Sequence, residues 1–220
     1  MLTTIDTFLS HADEDKTIAR KLADALAKYD FEVFVAHDDI EIGEEWENTL
    51  KERIEKCELF IALLSKNFHK AHFTDHEIGI ASAMNKQIFP LRIDETMPYG
   101  FMSKYQAKKI SQEIIPLEVS KLAERLMTFT NSGKQLIDNL IEKFAYSRSF
   151  NEANSRSSDL FDFSTFSKSQ INAIADAFLS NMQIRSAWTA RPSTLEFLAK
   201  NWKDVDQKYK EQLQRYFERD

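Results

Sequence analysis

Residues 59–64 read Leu-Phe-Ile-Ala-Leu-Leu, and every residue in this run is apolar. A strand that is apolar on both faces is typical of a parallel sheet, because helices cover both sides of such a sheet. The run therefore predicts the central strand of an α/β fold.

Strand and helix patterns alternate on both sides of this central run. Short β-prone segments are found at residues 4–10, 31–35 and 88–93, and patterns with helical periodicity at residues 13–29, 46–54 and about 75–85. The alternation predicts a right-handed, doubly wound, flavodoxin-like parallel sheet of about five strands, for which we take the order 2-1-3-4-5.

The far side of the sheet is harder to predict. Pro90 cannot donate a hydrogen bond to a strand ladder, so we expect the fourth strand to lie near an edge or to carry an irregularity. A fifth strand is expected near Ile110 or over residues 114–117.

After about Val119 the helical patterns continue without further strands. The serine-rich residues 147–169 suggest an exposed connector that docks through Phe161, Phe163 and Phe166. Ser167 and Ser193 are expected to cap the helices that follow them. We therefore predict one α/β domain over residues 1–130 and an all-helical extension over residues 131–220.

Composition excludes several classes of site. The chain has 220 residues, 43% of them hydrophobic, as is usual for a globular protein. Its 4 glycines are scattered, so no glycine-rich phosphate loop can form, and the single Cys57 excludes an internal disulfide. A net charge of -6 offers no general nucleic-acid surface. No run approaches the ~20 apolar residues of a membrane helix and no secretion signal is evident, so a cytoplasmic protein is expected.

Topology predicts where a ligand would bind. In doubly wound sheets, ligands bind at the carboxyl ends of strands where the strand order reverses, here between strands one and three. The loops at that point are residues 10–13 and 65–67, beside an acidic segment at residues 36–45. Glu77 lies on the helix that follows the second loop.

Three segments, in this order and at these spacings, resemble the Toll/interleukin-1 receptor (TIR) domain family. Residues 5–12, Ile-Asp-Thr-Phe-Leu-Ser-His-Ala, resemble the first signature of that family. Residues 38–46, an acidic stretch leading to Gly43 and Trp46, are similar to its loop after strand two. Leu63-Leu64-Ser65 followed by Phe73-Thr74-Asp75-His76-Glu77 resembles the third signature. The resemblance covers roughly residues 1–130.

Many bacterial and plant TIR proteins hydrolyse or cyclise NAD, and the resemblance implies the same activity here. It assigns the catalytic carboxylate to Glu77, and it implies a substrate site lined by Ser10, His11, Ser65 and Phe73. The family has Trp at the position of Phe73, so Phe34 and Trp46 are further candidates for stacking on the base.

The chemistry suits a single carboxylate. Breaking the bond between nicotinamide and ribose develops positive charge on the sugar, which a fixed carboxylate stabilises. Nicotinamide leaves as a neutral base, so NAD is expected as substrate and no metal or other cofactor is expected.

The resemblance also implies partners. They are NAD, further copies of the TIR domain through self-association, and a separate effector that responds to a cyclic or linear ADP-ribose signal in antiphage defence. Neither a nucleic-acid partner nor a membrane is expected.

Two alternative functions stay open besides the NAD-consuming enzyme. Glu77 stands three residues after Thr74, which is a capping-box spacing, so its carboxylate could close the start of a helix. The protein would then be a non-catalytic scaffold for TIR-TIR association. A nucleoside-processing transferase of similar fold is the third candidate. His69, His72 and His76 recur beside Glu77, but part of this group precedes the predicted helix, which disfavours a metal site.

Overall fold

The computed structural model describes residues 4–36 and 46–218, apart from the side chains of Trp46, His72 and Lys134. Two compact units divide the chain between Gly133 and Lys134. Each unit is described by itself.

The first unit contains a five-stranded parallel sheet. Its strands are β1 (Ile5–Ser10), β2 (Phe31–Val35), β3 (Leu59–Leu64), β4 (Ile88–Arg92) and β5 (Lys108–Lys109). The order is β2-β1-β3-β4-β5 and every pairing is parallel, which confirms the predicted doubly wound fold. All six residues of β3 are buried, as the apolar run predicts.

Four α-helices flank the sheet in the described part of this unit. They are α1 (Lys16–Ala27), α2 (Trp46–Lys56), α3 (His72–Ala83) and α4 (Pro116–Met127). Helix α1 packs against α4, and α2 packs against α3. Short 3-10 turns at Asp13–Asp15, Phe68–Lys70 and Gly100–Met102 lead from strand ends into the following segments.

An aromatic stack lies in the core between the sheet and helices α2 and α3. The register sets Phe8 of β1 opposite Phe34 on one side and Phe60 on the other. The rings of Phe8 and Phe60 stack with centroids 5.0 Å apart. Leu50 and Ile54 of α2 are buried in the same cluster. This buried cluster anchors the central strands to α2 and α3.

Both expectations about the far side of the sheet are confirmed in one of their alternatives. Strand β4 lies near an edge, as expected, because its outer neighbour is the two-residue edge strand β5. Strand β5 pairs only with Leu91 and Arg92, so the ladder on that side begins after Pro90 and does not need the missing donor. The fifth strand lies directly before Ile110, which was one of its two expected positions. Residues 114–117 form no strand, since Ile114 has a positive φ of 53° and Pro116 begins α4.

The second unit is helical. After α5 (Gly133–Ala145) come α6 (Phe150–Phe161), α7 (Lys168–Ser180), α8 (Met182–Ser186), α9 (Ala190–Lys200) and α10 (Gln207–Phe217). The fully buried Phe144, Leu160, Phe178, Ile184 and Leu198 form much of its interior.

The exposed connector expected over residues 147–169 was wrong, because most of it is α6. The Ser149 hydroxyl caps this helix by accepting from the Glu152 amide at 3.2 Å. The packing role expected for the phenylalanines is confirmed, since the Phe161 ring stacks on Phe197 at 4.9 Å.

The two predicted serine caps have different outcomes. Ser167 caps α7 as predicted, and Gln170 completes a capping box. Ser193 lies inside α9 and caps nothing, because that helix already begins at Ala190. Over the ranges 4–36 and 46–218, no helix has the length and apolarity that crossing a membrane requires.

Candidate functional site

Two of the predicted site residues meet at the carboxyl edge of the sheet. Ser10 is the last residue of β1, and Glu77 lies in the second turn of α3. The Ser10 hydroxyl donates a hydrogen bond to the Glu77 carboxylate, and both side chains are fully buried. This hydrogen bond holds the Glu77 side chain at the point where the strand order reverses.

Glu77 does not cap its helix. Helix α3 begins at His72, three residues before the predicted start, and its N-cap residue Ala71 makes no side-chain cap bond. Thr74 lies inside the helix, where its hydroxyl donates to the carbonyls of Phe68 at 2.9 Å and Ala71 at 2.8 Å. The capping-box interpretation of Thr74 and Glu77 was therefore wrong.

Phe73 lies one helical turn before Glu77. Residues four apart in a helix share one side, so the ring and the carboxylate project from the same side of α3. The Phe73 side chain is 47% exposed, whereas Glu77 is buried. An apolar ring at the surface and a fixed carboxylate below it are the two groups that a base linked to a sugar would need.

Ser65 forms a second buried polar pair at the same edge. Its hydroxyl donates to the carboxylate of Asp15, whose other oxygen accepts from the Asn67 side-chain amide at 3.2 Å. The Ser65 oxygen also accepts from the backbone amides of Asn67 at 3.0 Å and Phe68 at 3.3 Å. This hydroxyl thus uses its full hydrogen-bonding capacity within the protein.

Asp15 is a residue that the sequence analysis missed. It ends the 3-10 turn after β1 and is buried, whereas its neighbours Asp13 and Glu14 are exposed. Three acidic residues before a helix look alike in sequence, since each suits the helix dipole. His11 is buried directly after Ser10, in the loop where it was expected.

The two remaining aromatic candidates lie elsewhere or are not described. The ring centroids of Phe34 and Phe8 are 5.5 Å apart, and the Arg53 guanidinium carbon lies 5.1 Å from the centroid of the Phe34 ring. The structure does not bring Phe34 to Glu77 or Ser10. The side chain of Trp46, together with the acidic segment at residues 37–45, lies outside the described residues.

Two cavities of the first unit lie away from Glu77. One, of about 260 Å³, is lined by Phe34, Asp6 and residues near the end of α2. The other, of about 440 Å³, lies between β4, β5 and α4 and has Lys108, Lys121 and Arg125 in its lining. Neither cavity has Glu77 in its lining, and the Glu77 side chain itself has no exposed surface.

An aromatic contact links α3 to the loop after β4. The Tyr99 hydroxyl donates to the Asp75 carboxylate, and the His69 ring packs on Tyr99 with centroids 4.0 Å apart. Partial burial and the nearby Asp75 charge raise the pKa of Tyr99 above its ordinary value. The phenol therefore stays protonated at physiological pH and remains a donor.

Asp94 joins the loops that follow β3 and β4. Its carboxylate accepts from the backbone amides of Lys66 and Thr96, both at 2.8 Å. Slight burial opposes the charged form, but these hydrogen bonds hold the pKa of Asp94 below its usual range.

The histidines beside Glu77 do not form a described metal site. His69 packs on Tyr99, His76 is exposed, and the side chain of His72 lies outside the described residues. Among the side chains that the structure describes, no three His, Cys, Asp or Glu residues are grouped so as to hold a metal ion.

Comparison with known proteins places the first unit in a family. The TIR domain family model matches residues 7–127, which is more than half of the chain. A Bacteroides thetaiotaomicron protein named 2' cyclic ADP-D-ribose synthase is 34% identical over 91 residues. That match covers 39% of this chain and 32% of the relative, so the chain matches about a third of the relative's length. The chain therefore belongs to the TIR domain family.

Proposed function

We propose that the chain is an NAD nucleosidase that breaks the bond between nicotinamide and ribose, with Glu77 as the catalytic residue. The observation that carries this proposal is the buried carboxylate of Glu77, which receives the Ser10 hydroxyl at the carboxyl edge of the sheet and does not cap its helix. The name of the Bacteroides relative supports the same substrate class.

The reaction needs one stabilised charge. The electron pair of the bond between ribose C1' and the nicotinamide nitrogen leaves with nicotinamide, which becomes a neutral base. The ribosyl group becomes an oxocarbenium-like cation, and the fixed negative charge of Glu77 stabilises it. Water that attacks C1' and loses a proton gives ADP-ribose, whereas attack by a hydroxyl of the same molecule gives a cyclic product.

The neighbouring residues take supporting roles in this proposal. Ser10 holds the carboxylate in one orientation, so little reorganisation is needed during the reaction. Phe73 contacts the base from the exposed side of α3, while His11 and Ser65 form the walls of the substrate site. Phe34 is left out, because its ring is packed against Phe8 and Arg53.

Burial of Glu77 sets a condition on the reaction. The side chain has no exposed surface, so substrate reaches it only after the segments that cover it have moved. Self-association of TIR domains is the event that we propose for this opening, and an effector that responds to the product belongs to the same proposal. Assays therefore need high protein concentration or a crowding agent.

The test compares Glu77→Gln with the wild type and with Glu14→Gln. Glutamine keeps the size of the side chain and an acceptor for Ser10 but removes the charge. Glu14 is an exposed acid of the loop after β1, so Glu14→Gln is a matched change of charge. We expect nicotinamide release to fall by about 10²–10³-fold in Glu77→Gln and to stay unchanged in Glu14→Gln, at equal thermal stability.

Release that persists at the wild-type rate in Glu77→Gln would refute the assignment of Glu77. No release from the crowded wild type would favour a second candidate, a non-catalytic scaffold. An exposed apolar surface supports that candidate, because Phe73, Met97 and Phe101 are 47%, 62% and 65% exposed. The bond from Tyr99 to Asp75 links the segment that carries Met97 and Phe101 to the helix of Phe73. A scaffold would lose self-association on Phe101→Ser but keep it in Glu77→Gln.

A further inference from the structure

We propose that Asp15 is a positioning residue that holds the helix of Glu77 in place through a ring of buried hydrogen bonds. The inference rests on the proposed function, because it assigns Asp15 a part in the reaction of Glu77. Asp15 does not touch the Glu77 carboxylate in any described contact, so its effect must pass through other residues.

The first step of the ring joins the loops after β1 and β3. Asp15 accepts from the Ser65 hydroxyl through one oxygen and from the Asn67 side chain, at 3.2 Å, through the other. The Asp15 side chain is only 6% exposed, so its charge is stabilised mainly by these donors. The polypeptide turn at the end of β3 is thereby fixed against the turn at the end of β1.

The second step carries this restraint to α3. The Ser65 oxygen accepts from the Phe68 amide at 3.3 Å, which holds the 3-10 turn that begins at Phe68. The Phe68 carbonyl in turn accepts from the Thr74 hydroxyl at 2.9 Å, inside the first turn of α3. Because Phe68, Ser65 and Thr74 are all buried, water cannot replace these partners.

The third step closes the ring. Glu77 lies three residues after Thr74 on the same helix, and its carboxylate accepts from Ser10 of β1. Ser10 and Asp15 lie five residues apart on one segment, so both ends of the ring return to the end of β1. The carboxylate is therefore held directly by Ser10 and indirectly, through the position of α3, by Asp15.

Residue 15 needs two acceptor oxygens, because both described side-chain partners of Asp15 are donors. A carboxylate offers two acceptor oxygens, whereas an asparagine side chain offers one oxygen and one NH₂ group. In Asp15→Asn, either Ser65 or Asn67 therefore faces another donor. The substitution changes little volume, so its main effect is on this ring.

The test measures kcat and KM for nicotinamide release in Asp15→Asn, with Asp13→Asn as the control. Asp13 is an exposed acid two residues earlier, so both variants lose one negative charge from the same turn. We expect kcat to fall about tenfold in Asp15→Asn, because alignment of Glu77 is lost, and KM to change by a smaller factor, because Ser65 is the one proposed wall residue that bonds to Asp15 in the described hydrogen bonds. Asp13→Asn should match the wild type.

A second pair of variants tests the far end of the ring if Asp15→Asn folds poorly. Thr74→Val removes the hydroxyl at nearly constant volume, and Thr74→Ser keeps it. We expect Thr74→Val to lower kcat as Asp15→Asn does, and Thr74→Ser to retain most of the wild-type kcat. Equal kcat values in Thr74→Val and Thr74→Ser would overturn the proposal.

Hydrogen exchange separates this inference from the proposed function. The amides of Asn67 and Phe68 and those of residues 72–77 should exchange at least about tenfold faster in Asp15→Asn than in Asp13→Asn. If the wild type releases no nicotinamide, the proposed function fails, but faster exchange would still support the link from Asp15 to α3. Unchanged exchange at residues 72–77, or faster exchange with unchanged kcat in an active enzyme, would overturn the positioning role.

Discussion

Replacing Ser10 with alanine removes the hydrogen bond that holds the Glu77 carboxylate. Both side chains are fully buried, so no solvent takes the place of the lost hydroxyl. A hydrogen bond to a charged group contributes about 1.5–3 kcal/mol, and a neutral one about 0.5–1.5 kcal/mol. We therefore expect Ser10→Ala to lower the free energy of unfolding by about 2 kcal/mol, a large share of the 5–15 kcal/mol typical of a domain.

Ser10→Ala should lower the free energy of unfolding by a smaller amount when residue 77 is neutral. Glu77→Gln keeps an acceptor oxygen but removes the charge, so Ser10→Ala should cost only about 1 kcal/mol in that background. The difference of about 1 kcal/mol is the coupling energy of a double-mutant cycle. It isolates the part of the bond that depends on the carboxylate being charged.

Urea unfolding followed by tryptophan fluorescence measures these energies for the first unit. Trp46 is the sole tryptophan before Lys134, whereas Trp188 and Trp202 come after it. Carrying Trp188→Phe and Trp202→Phe in all four proteins leaves Trp46 as the reporter. The slope of the free energy against urea should be equal in the four proteins, so that changes in midpoint report stability.

A cost of Ser10→Ala below about 0.5 kcal/mol would contradict this expectation, because a buried carboxylate would then have lost a hydrogen-bond donor without consequence. An equal cost in the wild-type and Glu77→Gln backgrounds would also contradict it. In that case the hydroxyl would serve packing and not the charge.

Three further predictions concern residues away from the carboxylate. Gly133→Ala should lower the free energy of unfolding by about 1–3 kcal/mol, because a Cβ there would meet backbone atoms as close as 2.0 Å. Gly79→Ala in α3, where nothing lies within 4 Å of the added Cβ, should raise it by about 0.5–1 kcal/mol, and urea unfolding compares the two. Burial raises the pKa of Cys57 from its ordinary 9.0 to about 11, so its thiolate at pH 7.5 should be roughly 100-fold rarer than for an exposed thiol. Alkylation followed by mass spectrometry should therefore be slower in the native protein than in urea by at least that factor. Ser149→Ala should lower the free energy of unfolding by about 1 kcal/mol through loss of the α6 cap. Ser193→Ala in α9 should leave this free energy unchanged or slightly higher. Thermal unfolding measures both, and equal effects of the two substitutions would contradict the assignment of the cap.

The sheet could be predicted where one local pattern determined the structure. Strands β2 and β3 run over the predicted residues, because β2 is rich in Phe and Val and the apolar run of β3 is bounded by Glu58 and Ser65. The start of α3 could not be predicted, since it depends on the Thr74 hydroxyl reaching the Phe68 carbonyl. Residues 150–161 look like a loop by composition, and their helix depends on burial among neighbouring helices and on the Ser149 cap.

The candidate site followed from topology more than from any single residue. Parallel strands end at one edge, so Ser10 and Ser65 were expected near each other, and the helix after β3 was expected to carry Glu77 to that edge. Asp15 could not be distinguished from Asp13, because only the folded chain determines which acid is buried. Phe34 was a candidate by residue type alone, and residue type does not say that Arg53 lies over its ring.

The burial of Glu77 has a consequence for control of the proposed reaction. When a catalytic group is covered in the major conformation, the basal rate is the rate of the open form multiplied by its population. Each ~1.4 kcal/mol of opening free energy lowers that population tenfold. A partner that raises activity 10³-fold need only prefer the open form by about 4 kcal/mol, without contributing to the chemistry. Under the proposed function, the protein can accumulate in the covered, inactive form, and the rate of NAD consumption then depends on the fraction of molecules bound to such a partner.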